Sequence, residues 1–188
     1  MCTMTWNAFH RRGEILRDVV ALAEQRRDGR LPAQLPDGTD LFPDVFADEL
    51  DLLGALWLRW HARLSANLDR ALGRQPIDRE AAVAAAWART ADECPGLRLV
   101  LDQYAARPAD QRMAQALRRA QHKEHARLAA AAGLAADEGS AAAEAGRRIE
   151  LAARAGRRTP APSPRPPQTE RPAAECSLVD RIKAALVA

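Results

Sequence analysis

The stretch ADELDLLGALWLRWHARLSANLDRAL, residues 47–72, decides the fold. Leu50, Leu53, Trp57, Trp60, Leu64, Leu68 and Ala71 recur at three- and four-residue steps, which places them on one face of an α-helix. Leu52 and Leu56 widen that face, so the helix is predicted to be central and to pack against several neighbours. Gly73 and Pro76 stop it. The approach to it is acidic: Asp37, Asp40, Asp44, Asp48, Glu49 and Asp51 have no basic residue among them. Carboxylates near a helix N-terminus favour the macrodipole, so this run reads as a solvated helix start, with an acidic docking surface as the alternative.

Working outward, Phe9, Leu16, Val19, Val20 and Ala23 predict a first helix over 6–27, ended by Gly29 and Pro32. Met4 offers an alternative start, with Thr5 as the N-cap before Trp6. Pro36, Gly38 and Pro43 make the next segment a loop. Asp78 caps a third helix that turns Val83, Trp87, Thr90 and Cys94 inward. Pro95 opens a short fourth helix with Leu97, Val100, Leu101 and Tyr104. Pro108 opens a fifth, over 108–132, stopped by Gly133, with Met113, Leu117, Ala120 and Leu128 on its inner face. A sixth segment, 137–155, has Ile149 and Leu151 as its only large apolar residues and is expected to fray or dock loosely. Residues 5–155 are therefore predicted to form an all-α, single helical bundle of five to six helices.

Composition agrees. Hydrophobic residues are 47% of the 188, enough for a core, while aromatics are only 4% and alanine is abundant, which favours helix over sheet. The formal charge is +3, carried almost wholly by arginine, since only Lys123 and Lys183 are lysines. Arginine, alanine and proline share GC-rich codons, so arginine abundance alone argues for no polyanionic partner. Cys2, Cys94 and Cys176 are odd in number and far apart, which leaves a disulfide framework or zinc ribbon without support and fits a reducing compartment. No apolar run is long enough to span a membrane, and the first residues lack the pattern of a secretion signal, so a cytoplasmic chain is expected.

After Gly156 the composition changes. Six prolines between Pro160 and Pro172 lie among arginine, serine and threonine, and 156–176 is predicted to be a disordered, semi-extended linker. Ser177, with Asp180 three residues on, resembles a capping box, and Leu178, Val179, Ile182 and Leu186 make 177–187 a short amphipathic helix. Such a helix needs a surface to fold on, either a partner's groove or the chain's own bundle.

No phosphate loop, nucleophile elbow or metalloprotease motif is present, and no cofactor is implied. His122 and His125 lie on one side of a helix, and His10 is one turn from Glu14, but neither pair has the further ligands a metal needs. Glu124 falls on the apolar inner face of the fifth helix, and His61 shares a face with Trp57 and Leu68. A buried carboxylate requires a partner, so Glu124 is expected to pair with His61 or an inward arginine. Arg112, Arg118, Arg119 and Lys123 give the fifth helix a basic outer face that suits phosphates, the acidic loop around Asp44, or solvent.

Two stretches, TWNAFHRRGEILRDVV (5–20) and LDLLGALWLRWHARLSANLDRAL (50–72), resemble a group of actinobacterial all-helical proteins of unknown function. The resemblance implies a bacterial lineage and carries over no functional residue. The helices after residue 45, and RRGEILRDVVALAEQ (11–25), are also similar to TetR-type repressors. The Pro- and Asp-rich region after Arg27 leaves no place for a helix-turn-helix, so no repressor function is implied.

The preferred reading is a non-enzymatic interaction or regulatory protein that docks a protein partner through its tethered C-terminal helix. The alternatives are a nucleic-acid-associated protein using the basic fifth helix with Arg157, Arg158, Arg165 and Arg171, and a small helical enzyme or metal-binding bundle. The wide apolar arc of the second helix leaves room for a homodimer.

Overall fold

The computed structural model describes residues 2–42, 45–135 and 139–158, with side chains over 10–157 of these. Among them the chain is all-α: α1 Cys2–Arg26, α2 Glu49–Leu72, α3 Arg79–Glu93, α4 Pro95–Ala106, α5 Gln111–Ala132 and α6 Ser140–Arg158. The last of these runs past the boundary expected at 155. The linker and the C-terminal helix expected over 156–187 lie, from residue 159 on, outside the described residues.

Helix ends follow local chemistry. Asp48, Asp78 and Asp110 each turn a carboxylate onto the backbone N–H three residues on, satisfying a donor that has no partner within the helix. The fifth helix thus starts at Gln111, behind its Asp110 cap, rather than at Pro108. Gly133, at φ 78°, closes it in the left-handed conformation that a Cβ disfavours. Cys94 gives α4 no side-chain cap; Glu24 of α1 supplies one instead, accepting from the N–H groups of Gly96 at 2.8 Å and Leu97 at 3.0 Å. Gly96 permits this approach, because a Cβ there would lie 2.2 Å from the Ala23 carbonyl oxygen.

The second helix is central as predicted, touching α1, α3, α4 and α5. It buries Leu52, Leu53, Leu56, Trp57, Trp60, Leu64 and Leu68. Val83, Trp87 and Thr90 of α3, Leu97, Val100 and Leu101 of α4, and Met113, Leu117 and Leu128 of α5 complete the core. The loop after α1 contributes as well: Leu35, Leu41 and Phe46 are buried, tied by a bridge between Gln34 and Asp40.

The sixth helix corrects an expectation. It does not dock loosely but packs along both α5 and α3. Ala142, Ala143, Ala145, Ile149 and Ala153 are buried, and a Cβ on Gly146 would lie 1.8 Å from the carbonyl oxygen of His125. Small residues let two helix backbones approach closely, so a face poor in large apolar side chains is nonetheless fully packed.

Candidate functional site

Two features stand apart from ordinary packing: a charged cluster inside the bundle and an apolar groove on its surface.

The cluster centres on Arg98 and Glu124, respectively 3% and 1% exposed. Glu124 Oε1 accepts from the indole N–H of Trp87 at 2.9 Å and lies 3.8 Å from Arg98 Nη1. The Arg98 guanidinium stacks over the rings of Trp60, Trp57 and Trp87, at 4.8, 5.3 and 5.9 Å from their centroids, and pairs with Asp102 at 2.7 Å. Asp102 and Glu150 both bind Arg154, whose own guanidinium lies 4.8 Å from the Trp87 ring. Glu150 also meets His125 Nε2 at 2.5 Å. Burial raises the pKa of Glu124, and Arg98 and Trp87 only partly oppose it. Burial would raise Glu150 too, but His125, Arg154 and Arg98 outweigh it and bring Glu150 down to about 2.

Glu124 therefore has an inward-facing cation for a partner, and it is Arg98 of α4 rather than His61. His61 stacks on Trp57, with ring centroids 5.4 Å apart, and burial, with the positive charges of Arg127 and Arg98, lowers its pKa to about 4. Neutral at physiological pH, it is poorly suited to neutralise a carboxylate. Arg98 escapes a reading of the sequence because a charged side chain beside Pro95 and Gly96 looks like any surface arginine. The available signal is a Trp-rich core with an unassigned buried acid.

This cluster ties α2, α3, α4, α5 and α6 together. Trp57 Nε1, Arg98 Nη1 and Glu124 Oε2 are buried without a hydrogen-bond partner among the described residues. A charged cluster of this kind generally contributes less stability than well-packed apolar side chains of the same volume.

The groove runs between α1 and α2 and measures about 730 Å³. Leu16, Leu50, Ala55 and Leu58 line it. Leu58 is 72% exposed, although its neighbour Trp57 is buried. Two ion pairs border it. Arg12 grips both carboxylate oxygens of Asp51, at 3.1 and 2.7 Å, and lies over Phe46 at 4.5 Å. Arg112 reaches from the start of α5 to Asp48 at 2.9 Å. Those two interactions place Arg12 and Arg112 at the rim, and they lower the pKa of Asp51 directly and that of Asp48 after its hydrogen bond from the Asp51 N–H.

The other predicted contacts distribute as follows. Arg112 pairs with the acidic approach to α2, as the sequence reading allows, whereas Arg118, Arg119 and Lys123 are exposed and make no ion pair among the described residues. Arg157 is held by Asp92 at 2.8 Å. Leu178, Val179, Ile182 and Leu186 lie outside the described residues. His125 is engaged by Glu150, while His122 is exposed. Among the described residues, no group of three or more His, Cys, Asp or Glu is placed to hold a metal ion, and no helix is long and apolar enough to cross a membrane. Comparison with known protein families, with curated proteins and with solved structures finds no match to this chain.

Proposed function

We propose that this chain is a non-enzymatic, cytoplasmic interaction protein, a helical body that engages another protein through apolar helix-in-groove contacts. The tethered segment bearing Leu178, Val179, Ile182 and Leu186 is its docking peptide. The observation that supports this reading is the α1–α2 groove. A leucine left 72% exposed on the central helix, between two ordered ion pairs, supports a recognition surface rather than a reactive one. The buried acids, by contrast, are engaged by Arg98, Arg154, Trp87 and His125.

The test is affinity capture from the native host with the parent chain, Ile182→Asp and Leu58→Asp, each with and without nuclease and in low and high salt. The expected result is one protein partner, confirmed by reciprocal capture, that survives nuclease and salt and is lost with Ile182→Asp. Capture that nuclease abolishes would overturn the proposal.

One observation favours a second reading. Arg118, Arg119 and Lys123 form an exposed basic face with no intramolecular ion pair among the described residues. If that face bound nucleic acid, affinity would fall steeply with salt, by a log–log slope of roughly 0.9 per phosphate contacted on duplex DNA.

A further inference from the structure

The body presents one apolar groove between α1 and α2, and the same chain carries one short apolar stripe beyond the described residues. Their dimensions match. On α2 the apolar lining runs from Leu50 to Leu58, eight residues of helix and about 12 Å of rise. In the tail, the stripe of Leu178, Val179, Ile182 and Leu186 also runs eight residues, again about 12 Å if helical. The tail's other face carries Asp180, Arg181 and Lys183, so it offers both signs of charge to a rim formed by Arg12, Asp51, Asp48 and Arg112.

The inner face of α6, the seat suggested by its weak apolar pattern, is taken. The face of α6 that a tail would cover is already buried against α5 and α3. Reach is no obstacle. Residues 159–176 in extended polyproline geometry span up to about 56 Å, against about 36 Å for the whole length of α2. A tether of this kind also holds the segment at an effective concentration of about a millimolar, enough to populate a contact too small to form between separate molecules.

We infer that residues 177–187 fold as a helix into the α1–α2 groove of their own chain. This rests on the groove-docking reading above. It adds that the docking peptide and the groove cover each other until a partner displaces one of them.

The experiment is backbone NMR on the full chain, the Ile182→Asp chain and the Leu58→Asp chain, each at two concentrations tenfold apart. Leu58 is exposed, so its substitution leaves the bundle folded. In the parent, amides of 177–187 are expected to be rigid, with order parameters of about 0.8, and to fall below about 0.6 in both variants. Amide shifts at 12–16 and 50–58 should move in Ile182→Asp, with no dependence on concentration. A tail already mobile in the parent overturns the inference, as does a rigid tail that ignores Leu58→Asp. Order that appears only at the higher concentration overturns it in favour of a second copy as occupant. None of these outcomes touches the capture experiment, so the two proposals fail separately.

Discussion

Replacing Gly146 by alanine tests the packing of α6 at its tightest point. The added methyl would lie 1.8 Å from the His125 carbonyl oxygen, 2.4 Å from its carbon and 2.7 Å from its Cα, all backbone atoms that cannot rotate away. Ordinary contact begins near 3.4 Å, so the two helices must part by about 1.6 Å at this point. A gap of that size forfeits more than half of the dispersion energy across the contact. It loosens Ala142, Ala145 and Ile149 and stretches the pair between His125 and Glu150. Overpacking and the lost burial together amount to about 3–5 kcal/mol. Alanine's better helix propensity returns about 1 kcal/mol, leaving a net loss of about 2–4 kcal/mol. Thermal unfolding followed by circular dichroism should show Tm lower by roughly 5–15 °C. Gly156 is the control. It lies within α6, is exposed and would meet nothing within 4 Å if a methyl were added, so Gly156→Ala should leave Tm unchanged or slightly raised. If Gly146→Ala melted within about 2 °C of the parent, or if both variants lost stability alike, the close approach of α6 would be refuted.

Removing Arg98 alone, as Arg98→Met, strands the Glu124 carboxylate in the core and should lower stability by about 3–5 kcal/mol in urea unfolding, while Arg98→Met with Glu124→Leu should recover most of the loss. His61 has a folded pKa of about 4, below the ordinary 6.5, so the stability it contributes is complete above pH 6.5 and is lost as pH falls through 4. The loss is on the order of 2 kcal/mol after allowing for a ring only partly buried, and His61→Phe should flatten that limb of a pH–stability curve. Asp48→Ala removes both the cap of α2 and the partner of Arg112, and should lower the midpoint in the same unfolding assay.

Much of this architecture is legible without coordinates wherever a single rule acts. The leucine and tryptophan spacing marks α2 as central, Asp78 and Gly133 mark helix ends, and Glu124 betrays itself as an acid on an apolar face. What escapes is set by partners distant in the chain. Arg98 and Glu124 are paired by the crossing of α4 and α5, which no periodicity encodes. Leu35, Leu41 and Phe46 are buried from a loop with no repeating pattern. Alanine and Gly146 on α6 read as helix propensity, because closeness of backbones leaves no large side chain to announce it. The groove is hidden for a related reason: on a helix so rich in leucine, Leu58 does not stand out, and only the positions of α1 and α5 show that it is left largely exposed among the described residues.

Three of the four tryptophans, Trp57, Trp60 and Trp87, surround the Arg98 charge, and two of them flank Leu58 on the same helix. Indole emission responds to nearby charge and to solvent. The molecule therefore offers its own optical gauge: if the groove is occupied as proposed, the emission of the two indoles on the same helix is expected to shift. Occupancy of the outer surface can then be read as a change in colour at the centre, with no label attached.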